Sequence, residues 1–575
     1  MSDFDAPPPR ADGPADIHDE QEADLAVRAP AGLLRNSAVM ATGSVASRIT
    51  GVLRNVALTA ALGLTITADA FALGNSLPDI VYVLIIGGAL NAIFVPQLVR
   101  RMADDTDGGK AYTDSLISVT SVILVLVTTA AVLLAPLIVG LYATDEYSQQ
   151  QFDLAVAFAR FCLPQIFFFG LYTIISQVLN ARGRFGMPMF APIFNNLVAI
   201  ATYVGFVVVF GTAVADGGLD PAQTAWLGVG TTLGIAAQAL VLVPVLMRSG
   251  YRFSFSRNWR GMGLGKAGRL AGWTIGLVGV TQAAFVVISR LATQANVNAA
   301  AADLPPAGLF TYTNAYLVFM IPHGIVTVSI VTAQLPGLSR LVHEGQRRVA
   351  GTEIGHTMRL VAVVIAPIAA AILLGAQPLA ALLFNYGAAS AEQAQNLAFV
   401  IQIFMMGLLP FTLYYVLQRG WYADEDTRTP FFFAVIMNVV LVVLALVLFS
   451  RAGPGAPQVE ALATAYSLAA LVTFVVAWPT LRRSYGYLGS GRTGWTLVRV
   501  VAAVVVAMVI TSLIPFFNTF RIGSGKVTAL VDLVSASVGV VVIYLVMSLL
   551  LRVGEVSELL GWAGGAARRL VRRGG

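Results

Sequence analysis

The chain has 575 residues, 57% of them hydrophobic and 11% charged, with a formal net charge of +6, whereas about 25% of an average soluble domain is charged. That balance excludes an ordinary soluble globular protein, and apolar runs long enough to cross about 30 Å of hydrocarbon recur along the chain, as in a polytopic helical membrane protein. The small positive excess is read through its placement in loops and gives no argument for nucleic acid.

Residues 1–34 hold Asp3, Asp5, Asp12, Asp16, Asp19, Glu20, Glu22 and Asp24 beside Pro7, Pro8 and Pro9. This is the reverse of a basic leader, so the segment is predicted to be an uncleaved, disordered tail. Fourteen spans follow, near 35–62, 68–99, 112–142, 152–181, 189–211, 224–247, 268–294, 308–339, 357–383, 394–418, 430–450, 459–481, 496–516 and 527–551. Counting Arg35, Arg269 and Arg359, at the edges of their spans, with the adjoining loops, 28 Lys and Arg fall on the side of the N-tail and 3 on the other, with five arginines deeper inside spans. The positive-inside rule therefore puts both termini in the cytoplasm and supports the span count. No loop or tail is long enough for a folded enzyme domain.

Two stretches resemble each other at a separation of six spans. Leu163-Pro164 opens an aromatic-rich span that leads through Arg182 to Pro188 and Asn196, and Leu409-Pro410 opens another that leads through Arg419 to Pro430 and Asn438. The expected organisation is two six-helix lobes of like orientation, 35–247 and 268–481, joined by a basic loop at 248–267. Two further helices at 482–551 and a basic tail at 552–575 complete it. Transporters built on such repeats bind substrate between them.

Ionisable groups inside spans carry the functional information, because a mid-bilayer Arg costs about 2.5–3.5 kcal/mol and usually faces a polar pathway. Arg499 and Arg160 lie close enough to a surface to snorkel. Arg48 and Arg54 share the first span, about 9 Å apart along its axis and about 120° apart around it, with Gly51 between them as a candidate bend. Two such guanidiniums suit an anionic phosphate, which Arg holds by bidentate hydrogen bonds; the alternative is a buried ion pair with Asp69 or Asp79. Arg290 of the seventh span is a third candidate for the same cavity, with snorkelling as its alternative. Asp69, near the outer end of the second span, could gate by pairing with an arginine. His323, after Pro322, reads as a satisfied core histidine, with proton coupling as its alternative, Asp532 as interfacial, Cys162 as a buried apolar side chain, and Phe167 to Phe169 and Tyr414-Tyr415 as packing. Walker-type, His-Glu-x-x-His and Ser/His/Asp signatures are absent from the sequence.

The run S-R-I-T-G-V-L-R-N over 47–55, followed by Ala68-Asp69-Ala70-Phe71, Leu77-Pro78, Gly87-Gly88-Ala89 and Phe94-Val95-Pro96, resembles the opening spans of the MurJ (MviN) lipid II flippases of the MOP exporter superfamily. Further matches are Asn180 to Phe185 with Pro188, Ala191-Pro192 and Asn196, then Leu335-Pro336 and the stretch from Tyr422 to Pro430. The resemblance implies a MATE-like all-α fold and a non-enzymatic flippase of the bacterial plasma membrane. Such a flippase carries the undecaprenyl-pyrophosphate-linked peptidoglycan precursor from inner to outer leaflet by alternating access.

It further places the family's first-span arginines on Arg48 and Arg54, as substrate-binding residues, and its second-span aspartate on Asp69, as a gating residue, and implies the last two spans as a groove for the lipid tail; the reading of the residues themselves adds Arg290 as a substrate-binding candidate and Gly51 as a gating candidate. Lipid II and the bilayer are the implied partners, with other cell-wall synthesis proteins as further candidates. No cofactor or metal is implied, and no carboxylate set marks a sodium or proton site. The chain departs from the family pattern at Asn55, at Tyr82-Val83, and across 310–339, which holds no charged side chain; in these it resembles actinobacterial members. A different MOP exporter of drugs or lipid-linked oligosaccharides, or a membrane-embedded glycan polymerase, are the alternatives.

Overall fold

The computed structural model describes residues 31–83, 101, 107, 109–184, 186–212, 218–256, 264–514 and 525–561, with the side chains of 31–41 and 264–271 outside that description. All regular structure among the described residues is helical.

In the first half, α1 spans Ala31–Leu62, α2 Ile66–Tyr82, α3 Lys110–Leu133, α4 Ala135–Tyr142, α5 Gln149–Cys162, α6 Gln165–Ala181, α7 Gly186–Phe210, α8 Pro221–Leu240 and α9 Leu242–Arg248. The second half holds α10 (Leu264–Ala301), α11 (Leu309–Pro322), a π-helical turn (His323–Thr327), α12 (Val328–His343), α13 (Arg347–Leu374) and α14 (Ala376–Phe384). It ends with α15 (Ala391–Ala423), α16 (Arg428–Phe449) and α17 (Ala456–Tyr485), after which come α18 (Ser490–Leu513) and α19 (Lys526–Leu550). From Lys110 onward, twelve helical runs are long and apolar enough to cross a membrane. They coincide with the third to fourteenth expected spans, so the protein is a multi-pass membrane protein. α1 and α2 occupy the first two. The rest of the second span, with Gly87-Gly88-Ala89 and Phe94-Val95-Pro96, lies outside the described residues, as do Phe185 of the matched motif and the N-tail up to residue 30.

The duplication seen weakly in the sequence is clear in the packing. In the first half α1 packs on α7, α7 on α8, α2 on α5, α3 on α6 and α5 on α8; in the second, six spans later, α10 packs on α16, α16 on α17, α11 on α15, α13 on α15 and α15 on α17. Close approach is achieved where small residues meet, since association within a bilayer depends on packing more than on water release. Gly74 of α2 lies against Phe158 of α5, and Gly407 of α15 against Ser467 of α17. The two copies differ at their prolines: α5 ends before Pro164, whereas α15 continues through Pro410. Capping boxes at Ser148, Asp220 and Ser390 start α5, α8 and α15 by satisfying the first free amides.

α18 and α19 pack on one another and on α13, and α19 also packs on α14. Lys526 fixes this join by donating to the carbonyls of Ala381 (2.6 Å) and Asn385 (2.5 Å), where the C-terminal end of α14 attracts a cation. The outward faces of the bundle expose Leu133, Leu137, Val208, Met406 and Leu513, as lipid contact requires. The segment expected as a tail begins with a short helix, 554–561, and is not free: Glu555 is buried and accepts from Arg359 Nε at 2.5 Å. Arg568 to Arg573 lie outside the described residues, as does 257–263 of the inter-lobe loop. The loop's first part is tied down, with Tyr251 and Ser254 donating to Asp114. Burial, and then that hydrogen bond to Asp114, raise the Tyr251 hydroxyl above its usual range.

Candidate functional site

The lobes meet along α1 and α2 on one side and α10, α11 and the π-turn on the other. The end of the bundle that carries the α1–α2, α4–α5, α10–α11 and α14–α15 connections is called the distal end below.

Arg48 and Arg54 are half-buried on α1. α1 runs without interruption through Gly51. α7 crosses there: Asn196 donates to the Ser47 carbonyl at 3.0 Å and to the Thr50 hydroxyl at 2.9 Å, and it faces Gly51. This contact fixes the azimuth of α1 and hence of both arginines. The Arg48 guanidinium lies against Gly324, so close that a Cβ on Gly324 would overlap it. The approach depends on local backbone geometry. Pro322 removes one amide from the helical ladder, and the next five residues widen into the π-turn, a distortion that is frequent at functional sites. Arg54 donates to Asn55 Oδ1 at 3.4 Å, and Asn55 in turn donates to Asn314 Oδ1 of α11 at 3.1 Å. Among the described residues, neither arginine pairs with a carboxylate. The alternative of a pair with Asp69 or Asp79 is not what this conformation contains.

Asp69 is buried and takes only neutral donors. Its carboxylate accepts Asn296 Nδ2 at 2.7 Å, Phe310 N at 2.7 Å and Leu309 N at 3.1 Å. The last two are free amides at the start of α11, whose first flanking residue, Gly308, has no side chain with which to cap them. A residue of one lobe thus caps a helix of the other, with the helix dipole adding to the attraction. The expected arginine partner is replaced because two aligned amides and one carboxamide satisfy the carboxylate without a second buried charge.

Arg290 does not join the first-span arginines. It ion-pairs with Asp145 and donates to the carbonyls of Gly140 (2.9 Å) and Leu141 (3.4 Å) at the end of α4, which places it at the distal end. Gln294 there donates to Glu146 at 2.6 Å, Thr144 N donates to Thr293 at 3.1 Å, and Ala388 N donates to the Ala60 carbonyl at 2.9 Å. These lobe-to-lobe bonds all belong to the distal half. His323 is buried, edge-on to Tyr415 at 4.7 Å and Phe411 at 4.9 Å, and its Nδ1 finds no hydrogen-bond partner among the described residues, so it is not the satisfied core histidine expected. Arg160 is exposed. Arg499 lies over Trp495 at 5.1 Å and donates to the Arg552 carbonyl at 3.2 Å.

The family described as "Lipid II flippase MurJ" matches residues 58–531. The chain belongs to the MurJ family. It is 29% identical over 453 residues to the probable lipid II flippase MurJ of Rhizobium meliloti (strain 1021), covering 78% of this chain and 80% of that one. To the lipid II flippase MurJ of Burkholderia cenocepacia it is 28% identical over 398 residues, covering 68% and 74%. In fold it is similar to a MurJ structure in an inward closed conformation, with a TM-score of 0.68 at 17% identity over 89% of this chain and 98% of that one. It is also similar to an inward-facing multidrug resistance MATE transporter of the MOP superfamily, at 0.60 and 14%, covering 77% and 96%.

Sequence reasoning missed the Asn55–Asn314 bridge, the Gly308 and Gly324 clearances, and Arg419. The tenth span expected at 394–418 stops short of the Arg419 charge, whereas α15 runs on to Ala423.

Proposed function

We propose that this MurJ family member translocates lipid II, the undecaprenyl-pyrophosphate-linked peptidoglycan precursor, from the inner to the outer leaflet of the bacterial plasma membrane, as a transporter and not an enzyme. The observation that carries the reading is the pair Arg48 and Arg54. Both are half-buried at the lobe interface of a MurJ family chain, and neither has a carboxylate partner among the described residues. An unneutralised guanidinium at such depth is costly unless an anion visits it, and a diphosphate supplies bidentate acceptors of matching charge.

Both termini are assigned to the cytoplasm from the loop charges, which makes the distal end extracytoplasmic. The distal bonds of Asp69, Arg290 and Ala388 then hold the outer face closed, and the head enters from the cytoplasmic side. Parting those bonds while the opposite end closes would release the head to the outer leaflet. The exposed apolar faces of α18 and α19 suit the polyprenyl chain.

The test is reconstitution of the purified full chain in vesicles carrying labelled lipid II, with translocation read by an enzyme that acts on the label outside. Translocation that depends on the protein supports the reading, and none with well-folded protein overturns it. In cells, depletion should make lipid II accumulate in the inner leaflet.

A further inference from the structure

Across 310–339 the chain has no charged side chain, and Arg290 is engaged at the distal end by Asp145. Another half-buried guanidinium lies near the His323–Thr327 turn. Arg419 of α15 is half-buried and stacks over Tyr415 at 4.3 Å and over Tyr422 at 5.6 Å. The Tyr415 ring meets His323 edge-on at 4.7 Å. Arg48 of the other lobe lies against the next residue, Gly324. The two guanidiniums therefore flank one turn of helix.

Neither has a carboxylate partner among the described residues. Arg48 Nε, Arg419 Nε and His323 Nδ1 are each buried and find no hydrogen-bond partner among the described residues. A cavity of about 250 Å³ beside Arg419 is lined by second-lobe residues, Gln334, Thr357, Glu353 and Arg340 among them; Arg48 and the His323–Thr327 turn are not in its lining. Ring stacking explains why Arg419 is held in place, but it leaves the guanidinium edge, with its in-plane donors, unused. Unmet donors of like charge, gathered on two bodies that move against each other, are the expected signature of a site completed by a polyanion.

We propose that Arg419 is a further substrate contact: Arg48 from one lobe and Arg419 from the other hold the diphosphate of the lipid-linked head between them at the His323–Thr327 turn. This rests on the function proposed above and adds a residue to it. A diphosphate bonded to both lobes favours the arrangement in which the arginines are close, and it leaves when they part.

The test uses the purified full chain in nanodiscs, with geranylgeranyl diphosphate, geranylgeranyl monophosphate, geranylgeraniol and inorganic pyrophosphate as probes. Arg419→Gln is expected to weaken geranylgeranyl diphosphate at least about tenfold and the monophosphate less, and to leave geranylgeraniol unchanged. Arg419→Lys, which keeps the charge and the ring contact but loses the planar fork, should fall between; it provides the same reading if the Gln variant does not fold. Wild-type affinity for the diphosphate in these variants overturns the inference, as does an equal loss for geranylgeraniol. Inorganic pyrophosphate binding as tightly as geranylgeranyl diphosphate would make this a free-anion site and overturn the lipid-linked assignment. Wild-type protein that moves lipid II while the Arg419 variants bind normally sinks this inference alone; wild-type protein that fails to move lipid II sinks the reading beneath it.

Discussion

Asp69 Oδ1 accepts the backbone N–H of Phe310 at 2.7 Å, so that a carboxylate from one lobe closes the first turn of a helix in the other. The bond forms only where Gly308 leaves room, since a Cβ there would overlap the Asp69 carboxylate. Helix capping, normally local, here holds two lobes together at the distal end, and whatever opens that end must free Asp69 from its three donors.

Asp69→Asn should therefore weaken distal closure, because an amide cannot accept with both atoms. The loss expected is about 2 kcal/mol, or about 30-fold in the open-to-closed ratio. Gly308→Ala should act in the same direction from the other side of the contact. Labelling of a cysteine placed just inside the distal end measures this; rates unchanged in both variants would contradict the cap as a lock.

The Arg290 pair calls for the opposite expectation. Asp145 is almost fully exposed and the Arg290 side chain partly so, and such pairs contribute at most about 1 kcal/mol and are screened by salt. Asp145→Ala should retain rescue of a flippase-depleted cell, whereas Arg290→Ala, which also loses two carbonyl contacts, should impair it more. Growth under depletion compares the two.

Arg48→Ala and Arg54→Ala should each lower lipid II translocation by about tenfold or more, the scale of one lost charged hydrogen bond, with normal amounts of protein in the membrane. Gly324→Val should mimic Arg48→Ala by displacing its guanidinium. Translocation rates normalised to protein in the vesicles provide the comparison.

Arg359 and Glu555 form a buried pair at 2.5 Å, and Arg359 also donates to Thr493 at 2.9 Å. Glu555→Ala leaves an unpaired buried guanidinium and should cost about 3–5 kcal/mol, while Arg359→Met with Glu555→Leu should be near neutral. Melting temperatures in detergent separate them; equal losses would show that the charges themselves, and not their mismatch, matter here.

Asp114 takes Lys110 at 2.6 Å and Ser254 Oγ at 2.7 Å, besides the Tyr251 hydroxyl. Asp114→Ala should release the inter-lobe loop at a local cost of about 2–3 kcal/mol. Limited proteolysis near residues 249–263 should then run faster than in the wild type.

Much of this architecture is legible in one dimension, because a bilayer imposes length, apolar composition and loop charge on every span separately. The run from Lys110 to Leu550 divides where the sequence indicates, and Arg48 and Arg54 stand out through cost alone. Proline was a weaker guide: Leu163-Pro164 breaks a helix and Leu409-Pro410 does not, since tertiary packing decides whether a freed carbonyl is tolerated. Arg290 was misplaced because depth along a helix does not tell which neighbour it meets. Arg419 was overlooked because a charge near a span end is usually interfacial, and only its stacking on Tyr415, from the helix's own preceding turn, keeps it inside.

By itself, then, the sequence determined a duplicated, many-helix membrane transporter with an arginine pair where lipid would reject one. Which groups answer one another was decided only by the folded bundle: Asp69 with the start of α11, Arg290 with Asp145, Arg48 with the π-turn. Spans are set by transfer of a segment from water to hydrocarbon, a property each segment carries alone. Pairings are set by the rotation and register of helices hundreds of residues apart, a property no segment contains.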